Sequence, residues 1–304
     1  MTTHHFDPET FCTTLGAHPP ALRVQPGDTV VMQTLDAFGV DRHGVACGER
    51  PNPQSGPIWV EDAEPGDALE VTIVRLTPSR ERGWTRFPLA PNVVDPERAA
   101  QLPDRETADW AIDLAAGTVR LTDPPPALAD LVLPIDPMIG CFGVAPAGGE
   151  AISTSTPGPH GGNMDWRGFR AGATVWFPVG VPGALFFAGD GHARQGDGEI
   201  SGTGIEVSME MELHLDLRKR WPIRWPRGTT AGGAEIFTAG SARPLDQALQ
   251  HATTEMLDWL AADYGIDTVA ASHLMGQTVG YDIGNVYNPA YTVVCRMGVG
   301  VIGS

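Results

Sequence analysis

Lysine is nearly missing from this sequence. The chain has 304 residues and 20 basic side chains, yet Lys219 is its one lysine, set between Arg218 and Arg220. Chemistries that need a buried lysine of shifted pKa therefore have almost no candidate. Cysteine is also scarce. Cys12, Cys47, Cys141 and Cys295 lie far apart and form no C-x-x-C pair. That spacing excludes a disulfide scaffold and predicts a reduced, cytoplasmic protein. No basic patch exists beyond Arg218-Lys219-Arg220. The 37 acidic residues give a formal charge of -17, so nucleic acid is not an expected partner. Such an excess favours a neutral or cationic substrate over a phosphorylated one. The N-terminus shows no charged-then-apolar signal pattern. One uncharged stretch, Ala171 to Gly189, approaches membrane-spanning length, but Pro178, Pro182 and internal glycines interrupt it. A turn between two buried strands accounts for it, and no membrane association is expected. The strained Gly-x-Ser-x-Gly elbow of serine hydrolases is absent as well.

Glycine and proline are plentiful, at 37 and 27 residues, which predicts frequent tight turns and few long helices. Asp28 to Thr34 and Ala68 to Leu76 read as strands, with a turn at Pro65-Gly66-Asp67 before the second. Thr118 to Leu121, Ala173 to Val181, Ala184 to Ala188 and Tyr291 to Met297 read the same way. The clearest periodicity runs from Ile205 to Leu217. Apolar residues at every odd position alternate with Glu206, Ser208, Glu210, Glu212, His214 and Asp216, as in a half-buried antiparallel strand. Leu245, Ala248, Leu249, Ala252, Met256, Leu260 and Tyr264 fall on one face of a predicted helix, closed by Gly265. A second helix is predicted over Thr268 to Leu274, with Asp267 as its N-cap. The expected fold is mainly β, a jelly-roll-like β-sandwich with a smaller α+β C-terminal element. Residues 1–217 would carry the sandwich and the site loops. Residues 218–304 would pack on them as part of one interleaved unit.

Two glycine-rich segments carry the chemistry. The first, Gly189-Asp190-Gly191-His192-Ala193-Arg194-Gln195-Gly196-Asp197-Gly198-Glu199, directly follows an apolar strand. If strand geometry continues, Asp190 and His192 point to one side, a carboxylate and an imidazole suited to a divalent metal. The glycines let the chain turn back, bringing Asp197 or Glu199 toward the same place. A plain Gly/Asp turn between strands has the same composition. The second segment, Pro159-His160-Gly161-Gly162-Asn163-Met164-Asp165, could add a metal ligand or an oxyanion donor, or could be a polar loop bonded to its own backbone. Adjacent strands could place both segments at one sheet edge. Cys141 reads as a buried structural thiol, since no base flanks it.

These segments, together with Met138-Ile139-Gly140 through Val144-Ala145-Pro146, Pro178-Val179 and Gly183-Ala184-Leu185-Phe186, resemble the acetamidase/formamidase family. So do Gln25-Pro26-Gly27-Asp28, Ser55-Gly56-Pro57-Ile58 and Glu64-Pro65-Gly66-Asp67. The resemblance is densest from about 134 to 206. It implies a β-sandwich enzyme that hydrolyses a short-chain amide to carboxylate and ammonia with a divalent metal, zinc being the expected ion. From the residues themselves, Asp165, Asp190 and His192 would hold the metal, Glu199 would move the proton with Asp197 and Glu206 as alternatives, and His160 or Asn163 would steady the oxyanion. The expected partner is a small-molecule amide, and the expected assembly a homo-oligomer. Two alternatives stand beside this reading. One is a hydrolase of lactams or other amides; the other is a calcium-stabilised β-sandwich that binds without turnover.

Overall fold

The computed structural model describes residues 1–303. Strand accounts for 39% of the chain and helix for 16%, so the fold is mainly β, as the turn-rich composition predicts. The largest sheet has nine strands. In spatial order they are Thr3–Phe6, Asp28–Gln33, Met209–Arg218, Ala68–Pro78, Thr174–Pro178, Arg227–Thr229, Glu235–Ala242, Tyr291–Gly298 and Gly280–Asn285. A five-stranded sheet has the order Gly161–Asn163, Met138–Val144, Phe186–His192, Ser55–Val60 and Leu22–Val24. Pairing is antiparallel except at two edges, where Thr3–Phe6 joins Asp28–Gln33 and Leu22–Val24 joins Ser55–Val60 in parallel.

Period-two alternation explains how these sheets meet. Val71, Ile73, Val175, Phe177, Met211, Leu213 and Leu215 of the nine-stranded sheet share one buried cluster with Ile58, Ile139, Phe142, Phe186 and Ala188 of the five-stranded one. The stretch around Pro182-Gly183 carries the chain from one sheet to the other, since Thr174–Pro178 and Phe186–His192 belong to different sheets. Among the described residues no helix is long and apolar enough to cross a membrane.

The Ile205–Leu217 alternation is only partly one strand. Strand pairing begins at Met209, and from there burial alternates to Leu215. Upstream, Thr203 to Ser208 are buried on both sides. Glu206 thus sits inside the protein, bridged to Trp84 and His192, and not on the solvent face that its place in the alternation suggests.

The C-terminal helix spans Leu245–Tyr264, and Gly265 closes it at a left-handed φ of 65°. The next helix, Thr268–Thr278, starts where the Asp267 carboxylate accepts from the Val269 and Ala270 amides, and it ends one turn later than periodicity suggests. The buried face of the first helix is rotated from the one read in the sequence. It carries Ala248, Ala252, Glu255, Met256, Trp259 and Leu260, while Leu249 and Tyr264 are exposed. The rotation follows from Arg227 on the sheet below, whose Nε donates to Glu255 Oε1 at 2.6 Å.

Candidate active site

Both glycine-rich segments flank one strand. Met138–Val144 pairs with Gly161–Asn163 on one side and with Phe186–His192 on the other. The strand beyond Ala184 therefore runs through His192, so Asp190 and His192 lie within it and not in a loop after it. Gly140, in the shared strand, lets the two acids meet. A Cβ there would stand 2.6 Å from Asp165 Oδ1 and 2.7 Å from Asp190 Oδ2, closer than any side chain tolerates. Asp165, Asp190 and Glu199 all hold left-handed backbone, with φ of 47°, 56° and 47°. Non-glycine residues adopt that region at a cost, and strain of this kind gathers at functional sites.

The structure brings Asp165, Asp190, His192 and Glu199 together and adds Glu206. One donor atom from each of Asp165, Asp190 and His192 lies within 4.8 Å of the others, and so do atoms of His192, Glu199 and Glu206. All five residues are buried. Asparagines orient the acids. Asn52 Nδ2 donates to Asp190 Oδ2 at 2.9 Å and also to Asn163 Oδ1 at 2.9 Å. Asn288 Nδ2 donates to Asp165 Oδ2 at 2.5 Å. The second oxygen of each aspartate, Oδ1, has no hydrogen-bond partner among the described residues.

The tautomer of His192 follows from Gln195. The Gln195 amide nitrogen donates to the carbonyls of Asp165 and Gly284, which turns its Oε1 toward His192 Nδ1 at 2.8 Å. Nδ1 must therefore carry the proton and donate. Nε2 is left facing Glu206 Oε1 at 3.1 Å and Asp190 Oδ1 at 3.4 Å, without an aligned hydrogen bond. A lone pair and two carboxylates cannot share that space unless a cation, either a proton or a metal ion, sits between them.

Electrostatics lead to the same requirement. Burial, then the charges of Glu199 and Asp190, push the Asp165 carboxyl well above the usual carboxylate range. Burial does the same to Glu206 and lifts Glu199 to about 8. Asp190 stays low despite burial because His192 lies beside it, and His192 is held high by Glu206 and Asp190 although burial opposes its charge. Clustered buried acids cannot all ionise without a counter-ion. Oxygen and imidazole donors with orphaned lone pairs fit a divalent cation, so this group could hold a metal.

His160 and Asp197 do not join the group. His160 lines a separate hollow with Pro146, Pro178 and Val179, and burial lowers its imidazole to about 4. Asp197 is exposed and pairs with Arg167 at 2.6 Å. Cys141 is buried, its thiol donates to the Thr154 carbonyl at 3.3 Å, and burial followed by the nearby aspartates raises it well above the usual thiol range. Lys219 is half exposed and pairs with Asp67.

Asp190, Glu199, Glu206 and Asn163 open onto a cleft of about 720 Å³. Gln195, Asn52, Asn288 and Gly140 are the contributors that sequence reasoning did not assign, while Glu206 was read only as an alternative base to Glu199. Gly140, inside an apolar run beside the motif, and Gln195, within the segment that holds His192, left a local trace. Asn52 and Asn288 come from elsewhere in the chain, Asn52 from 138 residues before Asp190.

Comparison with known proteins shows what the whole chain resembles. The family model described as the acetamidase/formamidase family matches residues 123–226, a range that holds both segments. The acetamidase of Mycolicibacterium smegmatis is 29% identical over 251 residues, covering 73% of this chain and 56% of the relative. The formamidase of Methylophilus methylotrophus is 29% identical over 252 residues, covering 66% and 61%. The chain thus spans less than two thirds of the length of these curated relatives. The crystal structure of acetamidase from Yersinia enterocolitica is 32% identical and superposes with a TM-score of 0.86, covering 99% of this chain and 93% of that one.

Proposed function

The chain belongs to the acetamidase/formamidase family, and from that premise we propose that it hydrolyses an amide to a carboxylate and ammonia at the cluster of Asp165, Asp190, His192, Glu199 and Glu206. The observation that carries the proposal is His192 Nε2, with its partner Nδ1 fixed by Gln195, aimed at two carboxylates and lacking an aligned partner. In this reading Asp165, Asp190 and His192 hold a divalent metal, with zinc the ion that best suits a mixed imidazole and carboxylate set. Such an ion supplies Lewis acidity, which polarises a carbonyl and acidifies water.

The protein's own groups do the rest. Asn163 accepts from Asn52 through Oδ1, so its Nδ2 is the atom free to donate to the oxygen of a substrate in the cleft. His160, in its separate hollow, cannot share that role. Glu199 lines the cleft, and burial raises it to about 8, close to neutrality, where a carboxyl can both accept and donate a proton. Water forms a C–O bond to the amide carbon and the C–N bond breaks. Glu199 takes a proton from the water and delivers it to the nitrogen, which otherwise leaves poorly. Gln195 acts through His192, as a positioning residue.

The same reading extends to architecture and setting. The shared core between the nine- and five-stranded sheets supports a β-sandwich of jelly-roll-like type, in which residues 1–217 and 218–304 interleave through the larger sheet. The free cysteines support a reducing, cytoplasmic environment. The test is ammonia release from a panel of small amides by protein supplied with Zn²⁺. Equal yields of ammonia and carboxylate are expected. No turnover on any amide, with the metal bound, would leave a binding module and overturn the proposal.

A further inference from the structure

The cleft is far larger than a short amide needs. Its volume of about 720 Å³ lies in the range of sites that enclose ligands of drug size. Its walls are also not what the net charge of -17 suggests. The acids lining it, Asp190, Glu199 and Glu206, are buried at its inner end. Arg50, Arg86 and Arg243 line it as well, Arg86 half-buried, Arg50 and Arg243 exposed at the mouth.

None of these three arginines has an ion-pair partner among the described residues. Nearby Arg80, by contrast, is paired with the buried Asp36. Two of the three crowd one ring. The guanidinium of Arg50 stands 3.9 Å from the centre of Phe38, and that of Arg86 stands 5.5 Å from the same centre. Phe38 in turn stacks on Trp84 with ring centres 3.6 Å apart, and Trp84 Nε1 is pinned by donation to Asp36 Oδ2 at 3.1 Å. Arg243 rests over Tyr291, 4.7 Å from the ring centre. The aromatic rings hold the guanidinium groups in place without neutralising them. A cationic mouth whose guanidinium groups have no ion-pair partner draws in anions and offers forked donors that match a carboxylate.

We propose that the substrate of this site is an amide that also carries a carboxylate. The amide end would reach the buried acids and the carboxylate would lie among Arg50, Arg86 and Arg243. This assignment rests on the amidase reading above and narrows its substrate class. Free acetamide and formamide would occupy only the inner end of the cleft. The reaction is unchanged: water cleaves the C–N bond, and a dicarboxylate and ammonia leave.

The test compares succinamate with its uncharged isostere 4-oxopentanamide, in the zinc-loaded wild type and in R50Q/R86Q/R243Q. The readout is the ratio of kcat/KM values within one preparation, which does not depend on the folded fraction. Wild type should favour succinamate by at least about tenfold, as expected for one charge-assisted contact. The ratio should shrink as ionic strength rises and should fall to near one in the triple variant. If wild type hydrolyses both amides without preferring the anion, or if the variant keeps the preference, the substrate assignment is wrong while the amidase reading stands. If neither amide is hydrolysed, the amidase reading fails, and calorimetric titration with succinate decides the rest. Binding that loosens at least about tenfold in the variant would keep the arginines as an anion site. No binding, or equal binding by both proteins, would overturn it.

Discussion

His192 is committed before any substrate arrives, because Gln195 determines which nitrogen carries the proton. The same economy governs Gly140, where the absence of a side chain is the functional property. Gly140→Ala would drive a methyl group between Asp165 and Asp190 and part them. We predict that this variant folds but loses bound metal, read by elemental analysis alongside circular dichroism; full metal content would refute the steric account. Glu199→Gln keeps the shape of the side chain and removes its proton chemistry. It should bind metal normally and lose about 10²–10⁴-fold in turnover. A near wild-type rate would move the proton-transfer role to Glu206, the acid on the cleft that is not assigned to the metal. Much of this chemistry was legible in the sequence because Asn163, Asp165, Asp190, His192 and Glu199 sit in two short glycine-rich segments. Glu206 was read as an alternative base, but its burial was hidden by its own pattern, since an acid in an alternating run looks solvent-facing until both faces are known to be buried. Asn52 and Asn288 were illegible for another reason: they reach Asp190 and Asp165 across 138 and 123 residues, and no local period records such contacts.

Among the elements, the C-terminal helix shows what periodicity can and cannot specify. Its bounds were readable from the spacing of its apolar residues and from Gly265, yet its buried face turned toward Glu255. Glu255 and Arg227 are 1% and 3% exposed, and the guanidinium lies 5.1 Å from Trp221 and 5.3 Å from Trp259. Gly240 on the sheet below permits the close approach, because a side chain there would strike the backbone of Ala248 and Ala252. Removing one partner of a buried pair strands the other charge. Glu255→Leu should therefore lower unfolding free energy by about 3–5 kcal/mol in chemical denaturation. A change below about 1 kcal/mol would show the pair to be balanced by its desolvation cost. The strands were read more reliably than this helix face, because alternation over Met209–Arg218 and Ala68–Pro78 reports directly on a sheet with one inner face.

For the whole molecule, net charge does not describe the cleft, whose lining includes Arg50, Arg86 and Arg243 beside its acids. An acidic protein suggested a neutral or cationic ligand, but charge summed over the chain says nothing of where three arginines gather. The near-absence of lysine bears on mechanism. Lys219 pairs with Asp67 and does not line the cleft, and Cys141 is a buried, hydrogen-bonded thiol. Lys219→Arg combined with Cys141→Ala should leave amide hydrolysis within about tenfold of wild type, about 1.4 kcal/mol in barrier. A loss of several orders of magnitude in a folded double variant would point to a covalent cysteine route.

The most direct test of the central claim is the rate of ammonia release by verified metal-free protein, before and after one equivalent of Zn²⁺, on the best amide of the panel. The cluster of Asp165, Asp190 and His192 predicts a loss on the order of 10³-fold on stripping, with recovery on zinc addition. Undiminished hydrolysis by the metal-free protein would contradict it.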